Sequence, residues 1–253
     1  DGWVQNVDYD MNYYLAAAYR KNGQPAEAKK VYDAILGLKP EEKDAYFLRG
    51  SAELELGDYE SAKADFDQAI SMDPKNYDRL IEIYEALADY GYREVGQEYL
   101  QNVLDTAKQL DAYDSGRIYY YLGDYQKAYL ALEEAKGKGG VDSYLYLGKA
   151  YAATGDYNYA SSVYSNYLSN QGPDAEIYNQ LGLCELAKKD YQKALEAFQA
   201  GKQIEGNSLM QTLSFNEIVA YEYLQDYQKA AVLLNAYLQN YPDDQAAIRE
   251  QQF

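Results

Sequence analysis

Four residues near the middle of the chain have the types and spacing of a recognition patch. They are Tyr113, Arg117, Tyr120 and Tyr121, with Lys149 following. On a helix Arg117 and Tyr121, four apart, share one face, and Tyr113 lies one turn before Arg117. Rings beside an Arg are the side chains that dominate interface energetics. Three readings stand for them: an anchor for an extended peptide or an acidic side chain, rings that pack between neighbouring helices, and a surface that stacks on sugar rings.

Other chemistry finds little to work with. The 253 residues contain no His, which removes the commonest acid–base group and the commonest metal ligand together. Cys184 stands alone between apolar neighbours, so neither an internal disulfide nor a thiolate cluster is available, and it reads as a packed small hydrophobe. The carboxylate pairs Glu41-Glu42, Glu133-Glu134 and Asp243-Asp244 are adjacent in sequence, and adjacent residues on a helix do not face each other. A glycosidase needs two carboxylates opposed across a cleft, so these pairs read as solvated faces and turns. Neither a calcium loop nor a phosphate loop is written, since Gly137-Lys138-Gly139-Gly140 lacks the Lys-Ser/Thr that a phosphate loop requires. The sequence implies no cofactor, no metal and no enzyme.

The formal charge of −18 repels phosphate backbones and anionic lipid at long range, which argues against nucleic-acid binding. A protein or peptide partner that is basic or carries aromatic residues fits that balance. No apolar run is long enough for a transmembrane helix, so direct membrane insertion is not expected. The chain opens on Asp1 without a Met, in keeping with a removed leader. With the single Cys and the high Tyr and acidic content, this favours an exported or lipid-anchored bacterial protein over a cytoplasmic one. Oligomeric state is not legible.

The elements that must carry the patch recur. Unit starts fall near Tyr9, Lys43, Tyr77, Gln109, Val141, Ala175 and Gln211, at intervals of 34, 34, 32, 32, 34 and 36 residues. A fixed period in that range is the mark of a solenoid. Each unit holds two stretches in which apolar and small residues recur three and four apart, as a helix face requires. The second unit shows the pattern: Tyr46, Gly50, Gly57-Asp58-Tyr59, Ala62, Phe66, Ala69 and Pro74. Gly50, Gly116, Gly148 and Gly182 fall mid-helix, where Gly costs about 1 kcal/mol against Ala. Close approach of the paired helix, opposite Ala62, Ala128, Ala160 or Ala194, is the expected compensation. The sixth and seventh turns lack Gly, and Asp is expected to supply the local bond there. Residues 1–8 form a polar lead in which Trp3 either seals the first helix pair or belongs to a free end. Residues 243–253 read as a capping helix or tail.

These positions resemble the tetratricopeptide repeat family over Tyr9 to Pro242, in seven consecutive units; the best matches are the second unit above and Tyr144, Leu147, Gly148, Tyr151, Gly155, Tyr157, Ala160 and Tyr164. Glu53 and Glu185 stand where the family usually has a ring, and Arg49 where it prefers Leu. The resemblance implies an all-α fold, a right-handed superhelical solenoid of antiparallel helix pairs whose first helices line a concave groove. It implies a non-enzymatic scaffold holding a protein or peptide there; the alternative is an accessory protein of carbohydrate or a cell-surface polymer. Carried onto this chain, the groove positions include Tyr13, Phe47, Ile81, Tyr113, Arg117, Tyr120, Tyr121, Lys149, Asn179, Phe215 and Tyr223. One subfamily clamps a C-terminal carboxylate with paired Lys and Asn. Here Tyr13, Ala17, Phe47 and Ser51 occupy those places, so no such clamp is expected.

Overall fold

The structure, a computed structural model, describes residues 9–251. Trp3 and the rest of the 1–8 lead lie outside the described residues. Regular structure is helical throughout the described residues, the all-α tetratricopeptide solenoid that the repeat pattern predicts. The chain divides into two compact units after Lys108. The first contains α1 (Tyr9–Lys21) with α2 (Pro25–Leu38), α3 (Lys43–Glu55) with α4 (Tyr59–Met72), and α5 (Tyr77–Asp89) with α6 (Arg93–Thr106). The second contains α7 (Ala112–Leu122) with α8 (Tyr125–Ala135), α9 (Val141–Ala153) with α10 (Tyr157–Asn170), and α11 (Ala175–Ala187) with α12 (Tyr191–Lys202). It closes with α13 (Met210–Tyr223), α14 (Tyr227–Asn240) and the short α15 (Gln245–Glu250). Within each unit every helix packs on the next, and first helices of successive pairs also touch, so contacts stay within neighbouring repeats.

The helix boundaries have local causes. α7 begins three residues later than the spacing predicts because the Asp111 carboxylate caps it, accepting from the Asp114 N–H at 2.8 Å. α2, α4 and α14 each end two residues before Pro40, Pro74 and Pro242, since the residue preceding a proline is pushed out of the helical region.

One turn joins most pairs. At Gly57, with φ +78°, the Gly57 N–H donates to the Leu54 carbonyl at 3.0 Å and the Asp58 N–H to the Glu53 carbonyl at 2.9 Å. The Asp58 carboxylate then caps α4. The Gly-less turns keep the same geometry: Lys189 and Gln225 both sit at φ +64°, and Asp190 and Asp226 cap the following helices. Asp therefore supplies the cap, but the left-handed residue remains, and it costs a side chain roughly 1–2 kcal/mol. Replacing Lys189 or Gln225 by Gly should thus stabilise the second unit by about 0.5–1 kcal/mol each, after the extra chain entropy of Gly is subtracted. Urea midpoints measure it, and an unchanged or lowered midpoint contradicts the account.

The mid-helix glycines are compensated by close approach, as expected, although the nearest neighbour is not the opposed Ala. It is the large residue four further on. A Cβ at Gly148 would stand 2.2 Å from Tyr164 Cζ, and one at Gly182 would stand 2.3 Å from Phe198 Cε1. Gly50 meets Phe66 and Gly116 meets Leu132 in the same way. These four side chains are fully buried and form the seams of their pairs.

Candidate functional site

In the first unit the first-helix faces converge on one cleft. Tyr13, Ala17 and Arg20 are spaced four and three apart on α1, and Asp44, Phe47 and Glu55 share a face of α3. With Arg79 and Glu82 of α5 they line a cleft of about 790 Å³. Arg20 Nε donates to Glu55 Oε1 at 2.7 Å, tying α1 to α3. Arg79 Nη2 donates to Asp44 Oδ1 at 2.8 Å and Nη1 lies 3.0 Å from Glu82 Oε2. The Arg79 guanidinium also lies 4.0 Å from the Phe47 ring centroid, a cation–π contact that fixes both groups. Tyr14, 76% exposed, adds an open ring at the rim.

The exposure of these charges decides the sign of the cleft. The Arg79 side chain is 19% exposed, whereas those of Asp44 and Glu82 are 49% and 51% exposed. The cation is sunk and used internally, and the oxygens face outward. The Tyr13 hydroxyl is buried without a hydrogen-bond partner, and burial, reinforced by Glu42 and Asp44, pushes its pKa well above the ordinary phenol value. Tyr13 and Phe47 therefore share one cleft, while Ile81 is buried and does not line it.

The second unit distributes its sequence-derived residues differently. Arg117 is buried, 7% exposed, ion-paired to Asp114 and stacked 4.3 Å from the centroid of the Tyr113 ring. Tyr113 in turn covers Gly139, where a Cβ would stand 2.5 Å from the ring. Tyr120 packs edge-on against Tyr121 and Tyr146, with centroids 5.4 and 5.6 Å apart, and the Tyr121 and Tyr146 hydroxyls are 3.0 Å apart. Tyr120, Tyr121 and Tyr146 thus pack between α7 and α9, while Arg117 lies inward. Lys149 reaches Glu176 on α11 at 3.5 Å. Asn179 is buried and accepts from Asn216 Nδ2 at 2.9 Å, joining α11 to α13. Phe215 packs on Tyr237 with centroids 5.7 Å apart, and Tyr223, exposed, stacks on Tyr191 at 4.9 Å. Tyr113, Arg117, Tyr120 and Tyr121 come together. Lys149, Asn179, Phe215 and Tyr223 each pair elsewhere.

Sequence reasoning passed over Arg79, Glu82, Tyr146 and Asn216. Arg79 carried a signal: it is a cation in the first turn of a helix, where the dipole favours anions, one repeat after Asp44. Asn216 carried none beyond lying about one repeat from Asn179, and Tyr146, 25 residues after Tyr121, carried none.

Charge is also buried behind the groove. Glu53 lies between α2 and α4 with Oε2 buried and unpartnered and Oε1 3.6 Å from Lys29 Nζ. Its neighbour Asp65 is held bidentately by Arg49, at 2.7 and 2.8 Å. Burial, with the Asp65 charge adding, pushes the Glu53 carboxyl up to about 7. Cys184 is buried, and burial lifts its thiol to about 12, the behaviour of a packed side chain.

Comparison with known proteins agrees with this architecture. A tetratricopeptide repeat profile matches residues 13–77 and 145–208, just over half of the chain, and a second profile of the same description matches residues 215–244. The chain belongs to the tetratricopeptide repeat family. Among curated proteins it is similar to mouse FK506-binding protein-like, 40% identical over 62 residues, which are 24% of this chain and 18% of that protein. Among solved structures it resembles a tetratricopeptide repeat protein from Parabacteroides merdae at 15% identity, covering 86% of both chains with a TM-score of 0.58. It also resembles the human IFIT1 dimer with PPP-AAAA at 15% identity, covering 90% of this chain and 59% of that one, with a TM-score of 0.66. At such identities the likeness is one of fold. Proteins of this family are in general non-catalytic interaction scaffolds. No described helix is long and apolar enough to cross a membrane.

Proposed function

We propose that the protein holds an extended segment of a partner polypeptide against the first-helix face of its first unit, and that the segment presents a basic side chain to the cleft. The observation that carries this reading is the charge arrangement around Arg79. Its two carboxylate partners are half exposed while the guanidinium is not, so an incoming Lys or Arg meets open oxygens there, with the exposed Lys21 at the other side of the cleft. Tyr13, Ala17 and Phe47 supply apolar floor, and the open ring of Tyr14 can lie over the peptide's own aromatic or cationic groups. The overall charge of −18 steers a basic segment toward the site.

The sugar-stacking alternative would draw on open rings. In the second unit Tyr159, Tyr223 and Tyr227 are exposed on three different helices, and Tyr159 and Tyr223 are already stacked on Tyr151 and Tyr191. That favours the peptide reading.

Labelled peptides of alternating Arg and Tyr, and matched ones of Glu and Tyr, test it by fluorescence anisotropy. The basic peptide should bind and weaken with added salt, while the acidic one should not bind. Glu82→Lys should weaken binding about tenfold, since it replaces an open acceptor by a like charge. Equal binding of both peptides, or a Glu82→Lys protein that binds as wild type, would rule the cleft out as the basic subsite.

A further inference from the structure

The cleft of the first unit has two ends of opposite sign. α1, α3 and α5 run in the same direction, since like ends meet: Arg20 bonds Glu55 at the C-terminal ends, and Arg79 bonds Asp44 at the N-terminal ends. At the N-terminal end the half-exposed oxygens of Asp44 and Glu82 flank the sunken Arg79. Lys43, next to Asp44 in the chain, is taken up by Asp73. At the C-terminal end Arg20 and Glu55 neutralise each other, with side chains 29% and 19% exposed. Lys21, the last residue of α1, lines the same cleft and is exposed, and its ammonium makes no ion pair or hydrogen bond among the described residues. Asp89, exposed at the end of α5, does not line the cleft. An open cation therefore stands at one end and open anions at the other.

Helix register sets the distance between those ends. Tyr14, Leu48 and Glu82 all line the cleft and recur at one level of α1, α3 and α5. Lys21 lies two turns beyond that level on α1, and Asp44 lies one turn before it, at the level of Asp10. At about 1.5 Å of rise per residue, Lys21 stands roughly 10 Å along the helix axis from the level of Glu82 and roughly 16 Å from that of Asp44. An extended chain advances about 3.3 Å per residue, so a segment spans the two ends in about three to five residues. Only an even separation turns both side chains to one face, which leaves four. Between the ends Tyr13, Ala17 and Phe47 line the path and add no charge.

We propose that the cleft selects a segment in which a basic and an acidic residue stand four positions apart, the cation going to Asp44 and Glu82 and the carboxylate to Lys21. This selection rests on the basic-peptide reading of the same cleft, to which it adds a second charge and a spacing. A carboxylate brought to the open ammonium gains a charge-assisted hydrogen bond. A uniformly basic segment sets a like charge against Lys21 instead. The acidic field of the chain favours the basic residue in the encounter, and Lys21 fixes which end of the segment meets which end of the cleft.

Four labelled peptides in an extended, Thr-rich frame test this on the full chain by fluorescence anisotropy. The first carries Arg and Glu four apart, the second has Gln for that Glu, the third has Arg and Glu three apart, and the fourth has Lys for the Glu of the first. The first should bind wild type about tenfold more tightly than the second, and the third no more tightly than the second. Lys21→Glu, checked for retained helicity, should cancel the advantage of Glu over Gln and make the fourth peptide the tightest. Lys30→Glu makes an equal change of net charge on an exposed side chain of α2 outside the cleft, and it should leave the wild-type order unchanged. Equal binding of the first two peptides to wild type, with both weakened by Glu82→Lys, would overturn the selection and leave the basic subsite standing. Lys21 would then serve only the dipole at the end of α1. An advantage of Glu that survives Lys21→Glu would overturn it too, because the carboxylate would be read elsewhere. Peptides indifferent to Glu82→Lys would remove both readings of the cleft.

Discussion

Gly182→Ala should destabilise the second unit by about 2 kcal/mol, although Ala is the better helix former. The added methyl would lie 2.3 Å from Cε1 and 2.7 Å from Cδ1 of Phe198, a ring with no exposure and no room to turn. Overpacking of this kind costs about 3 kcal/mol, against about 1 kcal/mol gained in propensity. Gly148→Ala should behave alike, because Tyr164 Cζ would stand 2.2 Å away and its hydroxyl bond to the Leu145 carbonyl would be disturbed. The control is Gly37→Ala near the end of α2, where a Cβ meets nothing within 4 Å; that change should be neutral or stabilising by up to about 1 kcal/mol. Urea unfolding of the three variants tests the comparison. Combining Gly182→Ala with Phe198→Leu should recover about 1 kcal/mol or more of the loss, since the two share one contact. A double variant whose losses simply add would show that the glycine is not required by the ring.

The second large effect concerns Glu53 and pH. Its folded pKa of about 7 lies above the ordinary carboxylate value of 4.5, because burial and the nearby Asp65 charge disfavour ionisation. Between those values the folded state binds more proton than the unfolded state. Stability therefore falls as pH rises from about 4.5 to about 7, and above that window the full penalty persists. Glu53→Gln removes the titration while keeping the shape, and Lys29 retains Asp33 at 3.1 Å. The variant should be more stable than wild type by about 1–2 kcal/mol at pH 8, with the advantage vanishing toward pH 4.5. Denaturation midpoints across that range measure it. A constant difference between the two proteins would mean that the Glu53 carboxyl does not titrate there, and a destabilised variant at pH 8 would mean that its anion is a net stabilising partner for Lys29.

Two kinds of information meet in this protein. The repeat was written plainly, because each of its rules acts within a few residues. A left-handed position after each of the seven first helices, an Asp that caps five of the seven second helices, and a proline two residues past the end of three of them are local features, and they recur with the period that revealed them. Even Lys189 and Gln225 keep the register without a Gly, because the hydrogen bonds of the turn constrain the backbone more strongly than the side chain resists. The all-α fold and membership of the repeat family followed from that alone.

The candidate site was legible only in outline. Helical spacing placed Tyr13 and Phe47 on the faces that form the cleft, but it could not rank them against Arg117 or Tyr121, since a Tyr at a given register serves equally as an anchor or as packing. Tertiary structure made that choice. It sank Arg117 onto Tyr113, packed Tyr120 and Tyr121 against Tyr146, and opened a charged cleft around Arg79 in the first unit. The difference lies in range. Turns and helices are set by neighbours, whereas exposure and the sign of an open charge depend on side chains far apart in sequence, such as Asp33 and Arg49, 16 residues apart, or Asp44 and Arg79, 35 apart, meeting across a seam. Sequence determined the repeating scaffold, and the packing of one repeat on the next decided which of its tyrosines and charges still face a partner.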